Sequence, residues 1–179
     1  DDYRNEAPAA HAAFSPQEAV LASDAMIAVS LGTIASVRNG PRMARVLSKA
    51  IVAMAEGQCA DLARTASQGT AQWKRTCDAK TGALFAASAA LGVICADPSA
   101  ERALQAAEQM GTSLGRLYQL RDDQADGDGC STDLADVEPE AQEEFAASIS
   151  AFPNPSAFEW IRYVLAGSRA ATVPAPLVV

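Results

Sequence analysis

The sequence predicts an all-α fold, a bundle of roughly six helices with several running antiparallel around a central cavity. Three observations carry this. The 179 residues are Ala-rich and 49% hydrophobic with few β-branched runs, a composition that favours close-packed helices over sheet. Leu104, Ala107, Met110, Leu114, Leu117 and Leu120 recur at spacings of three and four, the period of one helical face. Helix punctuation falls at Ser15-Pro16, Asn39-Gly40-Pro41, Gln68-Gly69-Thr70 and Asp97-Pro98. A chain of this length can form a single domain over 1–179 with a sizeable core.

The elements follow in order. Ser15 is an N-cap with Pro16 at the first helical position. That helix is expected to run to Ser36, with Val20, Leu21, Ile27, Leu31 and Ile34 on a broad apolar face. Asp24 sits among apolar neighbours, where hydrogen bonding between helices is its expected role. His11 is the one histidine; no Ser or Cys is arranged around it as a nucleophile, so it reads as structural. At Asn39-Gly40-Pro41 a glycine closes one helix and a proline opens the next. The helix from Pro41 to Ser67 carries Gln58 and Asp61 at i, i+3, and Val52, Ala55 and Leu62 predict a mostly buried setting for them.

Lys80 is placed in the first turn of the following helix, ahead of the small and apolar stretch Gly82–Cys95. A lysine there must snorkel, pair with a carboxylate or meet a ligand anion. Gly82, Ala86, Ala87, Ala89 and Ala90 let helices approach closely, or leave room for a chain-like substrate. Gly111 and Gly115 lie inside the next helix at about 1 kcal/mol each against Ala, so contact with a neighbouring helix or a substrate is expected there. Phe145–Phe152 and Ser156–Ala166 read as two short helices split by Pro153-Asn154-Pro155, and Thr172–Val179 as a mobile tail.

The chemistry concentrates where the Leu-rich helix ends. Gln119, Asp122, Asp123 and Asp126 fall at i, i+3, i+4 and i+7, one polar face. Carboxylates stacked this way repel one another, more strongly when sheltered from water. A cation would remove the repulsion, and oxygen-only ligands suit Mg²⁺. An exposed, Asp-rich helix end is the alternative on pattern alone. A net charge of −8 argues against a nucleic-acid backbone or an anionic membrane as a general partner. Cys59, Cys77, Cys95 and Cys130 form no C-x-x-C pair and read as buried thiols in a reducing compartment. No signal peptide is evident, and no uninterrupted apolar run reaches the ~18 residues of a membrane span. A cytoplasmic protein without an integral membrane segment is expected.

Tyr118-Gln119-Leu120-Arg121-Asp122-Asp123-Gln124-Ala125-Asp126 resembles the second aspartate-rich motif of the trans-isoprenyl diphosphate synthases, the polyprenyl synthetase family. Two further elements occur upstream in family order: Gly57-Gln58-Cys59-Ala60-Asp61-Leu62 and Lys80-Thr81-Gly82-Ala83-Leu84-Phe85. The resemblance implies an isoprenoid synthase-like fold and a Mg²⁺-dependent prenyltransferase. It implies that Asp122, Asp123 (directly or through water) and Asp126 hold metal, and that Lys80, Thr81, Gln58 and Gln119 line the allylic diphosphate site. Lys80, Thr81 and Asp122 would be the catalytic residues, and Asp61 would face the allylic diphosphate with Gln58 and order water or metal. The partners implied are an allylic diphosphate, isopentenyl diphosphate and a second copy of the chain in a homodimer.

Asp1-Asp2-Tyr3-Arg4-Asn5-Glu6-Ala7-Pro8-Ala9-Ala10-His11 is similar to the family segment just after the first aspartate-rich motif. The chain is therefore expected to lack that motif, as an incomplete domain or a degenerate relative. Arg4 keeps one of two arginines that the family uses on a diphosphate; Asn5 replaces the other. Arg4 reads equally as a surface arginine. Between Asp133 and Glu144 no Lys or Arg occurs, where the family has a lysine-bearing lid. The expected reaction joins an allylic diphosphate to isopentenyl diphosphate. The alternatives are a non-catalytic subunit of a heteromeric synthase and a terpene cyclase.

Overall fold

The computed structural model describes residues 2–4, 7–63, 69–126, 134–150 and 152; the side chains of 4, 125, 126 and 134–136 lie outside the described set. The chain forms two compact units, Asp1–Arg45 and Val46–Val179.

In the first unit, Tyr3–Arg4 (β1) and Ala7–Pro8 (β2) pair antiparallel, a short ladder that periodicity did not announce. Ala10–Ala13 (α1) follows, and His11 Nε2 lies 3.2 Å from the Asp2 carboxylate. Pro16–Ala35 (α2) starts as the sequence predicted. The Ser15 hydroxyl accepts from the Glu18 N–H at 3.2 Å and donates to the Glu18 carboxylate at 2.7 Å, satisfying one orphan donor of the first turn. None of its apolar face is fully buried: Leu31 and Ile34 are half-buried, and Val20, Leu21 and Ile27 are exposed. Asp24 is exposed and bonds to no other helix among the described residues, contrary to the role expected for it. The turn after α2 also differs in detail. Asn39, not Gly40, takes the left-handed conformation, at φ 64°, which Asn tolerates. Gly40 serves close approach instead, since a Cβ there would lie 2.5 Å from the Ile34 carbonyl oxygen.

Gly40–Leu62 (α3) runs into the second unit and ends short of the predicted Ser67. Thr70–Cys77 (α4), a π-turn at Asp78–Gly82 and Ala83–Ala96 (α5) then form one unbroken helical run. Glu101–Asp126 (α6) packs against α5, the π-turn, α4 and Leu134–Ser150 (α7), so the all-α class is borne out. Pro16–Ala35 and Thr70–Ala96 are both long and apolar enough to cross a bilayer by length and composition, although charged residues such as Asp24 and Lys80 interrupt each. The second of them supplies Trp73, Cys77, Ala87, Ala90 and Ile94 to the core.

The core explains the register of the helices. Met110 and Leu117 of α6 meet Ala141, Phe145 and Ile149 of α7, and Leu120 meets Trp73, Cys77 and Val137. Val137, Ala141, Phe145 and Ile149 are spaced by four, one buried stripe. That stripe starts α7 eleven residues before the predicted Phe145, with Pro139 inside the helix. Ser156–Ala166 and the tail lie outside the described residues. Gly111 and Gly115 have the spatial reason expected of them. A Cβ on Gly111 would lie 2.5 Å from Ala86 Cα, and one on Gly115 2.6 Å from Gly82 Cα. The π-turn and the start of α5 touch α6 there through backbone.

A charged cluster ties three elements together. Arg116 donates from Nε and Nη2 to the two Asp78 carboxylate oxygens at 2.8 and 2.9 Å, and from Nη1 to Glu144. Burial works against the guanidinium charge, but Asp78 and Glu144 outweigh it and raise its pKa above the ordinary arginine value. Replacing Arg116 with Met strands Asp78 on the π-turn. Because both carboxylates keep some solvent, the expected loss is about 2–3 kcal/mol, below that of a fully buried pair. Urea unfolding measures it; a loss under about 0.5 kcal/mol would mean that the cluster behaves as a surface ion pair.

Candidate active site

The site begins with a glycine. Gly57 on α3 is buried, and a Cβ there would lie 2.3 Å from the Lys80 backbone nitrogen. No other residue lets α3 cross the π-turn this closely. One turn further along α3, Asp61 accepts from Lys80 Nζ at 2.6 Å, and both side chains stay about a quarter exposed (24% and 28%). The sequence placed Lys80 and Thr81 in a helix's first turn. They sit instead midway along a continuous helix, on the π-turn, whose wider i→i+5 winding re-aims side chains.

Across from Lys80, α6 supplies the other wall. Thr81 Oγ1 donates to Gln119 Oε1 at 2.6 Å, Gln119 Nε2 donates to Asp123 Oδ1 at 2.7 Å, and Trp73 Nε1 donates to Asp123 Oδ2 at 2.9 Å. Asp61, Trp73, Thr76, Cys77, Lys80, Gln119 and Asp123 enclose a recess of ≈ 10 Å³, room for about one water-sized sphere. The buried Thr76 hydroxyl has no partner among the described residues.

Burial pushes the Cys77 thiol well above the ordinary cysteine range, and Asp123, Asp78 and Asp61 push it further against the opposing pull of Lys80. It is a neutral, unreactive lining group. The unfolded chain ionises this thiol from ~8.5 upward while the folded one does not, so stability falls as pH rises above that value. Iodoacetamide at pH 8, followed by peptide mass mapping, should modify Cys59 and Cys95 well before Cys77. Equal labelling of Cys77 in the folded protein would contradict its burial. The expectation of buried thiols thus holds for Cys77 and is corrected for Cys59 and Cys95, which are exposed; Cys130 lies outside the described residues.

The structure brings Asp61, Lys80, Thr81, Gln119 and Asp123 together. Gln58 does not join them: it is exposed and does not line the recess, and Val52 (56%) and Leu62 (79%) are exposed around it. The buried setting predicted for this face of α3 is therefore corrected; only Gly57 of that turn is deeply packed. Asp122 is half-buried, lies outside the recess and makes no hydrogen bond or ion pair among the described residues. The side chains of Arg4 and Asp126 lie outside the described set. Sequence reasoning missed Trp73 and Thr76, which the apolar-helix pattern gave no reason to single out. Among the described residues no three His, Cys, Asp or Glu side chains gather as a ready-made cation cage.

The fold is all-α, of the isoprenoid synthase type. Structures of this fold include an FPP/GFPP synthase from Zymomonas mobilis (TM-score 0.76, 23% identity, covering 92% of this chain and 66% of that one). Another is a geranyltransferase from Legionella pneumophila (TM-score 0.76, 24% identity, 94% and 66%). Residues 1–136 match the family described as Polyprenyl synthetase, and the chain belongs to that family. It is 31% identical over 133 residues to the farnesyl diphosphate synthase of Escherichia coli K12, covering 69% of this chain and 44% of that one. It is 30% identical over 132 residues to the geranylfarnesyl diphosphate synthase of Aeropyrum pernix, at 69% and 41%. The short chain isoprenyl diphosphate synthase of Methanocaldococcus jannaschii is 28% identical over 130 residues, at 70% and 39%. The chain thus spans about two fifths of the length of these curated relatives.

Proposed function

We propose that this chain serves a trans-prenyltransferase that joins an allylic diphosphate to isopentenyl diphosphate, giving a diphosphate longer by one isoprene unit. The observation that carries the reading is a pair of glycine contacts: Gly57 brings Asp61 of α3 against Lys80, and Gly115 brings Gln119 of α6 against Thr81. In the reaction the allylic C–O bond breaks and pyrophosphate leaves with the electron pair. The π electrons of isopentenyl diphosphate form the new C–C bond, and a proton is lost from that unit.

The residues divide this work by their chemistry. The recess is too small for a diphosphate, so the anion binds across its mouth. There the Lys80 ammonium can turn from Asp61 toward phosphate oxygens, a point charge suited to that contact. Asp61 holds Lys80 in place until then. Thr81 and Gln119 present fixed dipoles to the reacting end, preorganised because each is already bonded. Gln58, exposed beside Gly57, would reach the allylic diphosphate from the solvent side. Arg4 belongs to the reading through the likeness of its segment alone, as a contact to isopentenyl diphosphate.

Mg²⁺ is the cofactor proposed. The donor set is all oxygen and short of a cage, which fits an ion that keeps waters and takes its other ligands from a diphosphate. Asp122 has a carboxylate without a partner among the described residues and suits such an ion, with Asp126 one turn on. Asp123 shares the same face. The ion would neutralise charge on the departing diphosphate. Assembly as a homodimer and a cytoplasmic location are part of the same proposal; the exposed Val20 and Leu21 of α2 support the first.

A second reading, a non-catalytic subunit of a heteromeric synthase, draws support from Asn5 in place of arginine and from the lack of Lys or Arg between Asp133 and Glu144. Incubation with radiolabelled isopentenyl diphosphate, an allylic primer and Mg²⁺ separates the two. A labelled product one isoprene unit longer supports the enzyme. No product alone, with product restored by a catalytic partner subunit, supports the second reading.

A further inference from the structure

The four side chains from Trp73 to Thr81 form a chain with a direction. Trp73 is 2% exposed and its N–H points to Asp123; Gln119 is 7% exposed and its amide nitrogen also points to Asp123. An ionised carboxylate only accepts. The Gln119 amide therefore cannot turn round, and its Oε1 must face Thr81. Thr81 has one hydrogen, which this bond uses, so its oxygen lone pairs are what remain for a ligand.

We infer that Asp123 is a positioning residue anchored by Trp73, which sets the polarity of the Thr81 hydroxyl and leaves metal ligation to its neighbour Asp122. Both Asp123 oxygens are engaged by nearly buried donors, and withdrawing them would orphan an indole N–H and an amide. The Lys80 ammonium lines the same recess, which at ≈ 10 Å³ has no room for a hydrated divalent ion. Asp122 is one residue along and about 100° round the helix, outside the recess and without a partner among the described residues. A hydroxyl whose proton is committed offers electron density to positive charge developing on the allylic carbon. A free hydroxyl would donate to the diphosphate instead. This last, functional half rests on the prenyl-transfer reading.

Asp123→Asn is the decisive substitution because it keeps size and inverts direction. Its amide accepts from Trp73 and donates to Gln119 Oε1, which reverses Gln119 and converts Thr81 from donor to acceptor. The expected result is a fall in kcat of at least ~10-fold with KM for the allylic diphosphate changed less than ~3-fold. Calorimetric affinity for Mg²⁺ with inorganic pyrophosphate should stay within ~3-fold of wild type in Asp123→Asn and weaken at least ~10-fold in Asp122→Asn. Trp73→Phe, which removes only the indole donor, should move kcat in the same direction. Asp123→Asn weakening pyrophosphate binding as much as Asp122→Asn would make Asp123 a ligand and overturn the assignment. An unchanged kcat would overturn the polarity argument. A wild-type protein that makes no product defeats the prenyl-transfer reading alone, because the calorimetry still decides Asp123.

Discussion

Asp122→Ala lowers turnover by about 10²–10³-fold and leaves the melting temperature nearly unchanged. The side chain is half-buried and makes no hydrogen bond or ion pair among the described residues, so its removal orphans nothing there. Asp123→Ala behaves differently. It strands the Trp73 indole N–H and the Gln119 amide, which costs about 1–3 kcal/mol in addition to any effect on rate. Adjacent carboxylates in one motif thus separate into one that matters to turnover and one that also holds the fold. Paired measurements of kcat and thermal unfolding on the two variants test this. If Asp122→Ala keeps wild-type turnover, the aspartate face is not the functional wall.

Gly115→Ala destabilises the protein, although helix propensity alone argues the opposite sign. Alanine is favoured over glycine by about 1 kcal/mol in a helix interior. Here the added Cβ would lie 2.6 Å from Gly82 Cα, and backbone cannot swing aside as a side-chain end can. Overpacking of this kind costs about 1–3 kcal/mol, and two main chains in contact place it at the upper end. Gly92 on α5 is the control, because a Cβ there meets nothing within 4 Å. Gly92→Ala should therefore stabilise, by up to about 1 kcal/mol. Denaturant midpoints of opposite sign for the two variants confirm that backbone contact, not propensity, decides at Gly115. Gly57→Ala meets the Lys80 backbone at 2.3 Å and should damage turnover as well as stability.

How much was legible beforehand depended on the range of the interaction. The helical class, the Ser15 cap and the Gln119–Asp123 pair of α6 were readable because each is written within one or two turns of sequence. Gly111 and Gly115 signalled a close contact through their propensity penalty, though not which helix they touch. The π-turn left no mark, since i→i+5 winding has no residue signature comparable to a cap or a proline. Lys80 was consequently assigned to a helix start. Trp73 was hidden for a different reason: its N–H partner lies 50 residues away, and a tryptophan in an apolar helix looks like core. Pro139 and the acidic run around it masked the four-residue stripe that builds α7. The apolar faces of α2 and of α3 near Gln58 show the remaining limit. Periodicity identifies a face, but what covers that face is decided elsewhere in space.

Isothermal titration of a non-hydrolysable allylic diphosphate analogue into the protein, with and without Mg²⁺, asks whether Lys80 and a metal ion grip the anion together. Binding that requires Mg²⁺ and weakens at least ~10-fold in Lys80→Met is the result this structure predicts. Binding that is indifferent to Mg²⁺ and to Lys80 would contradict it.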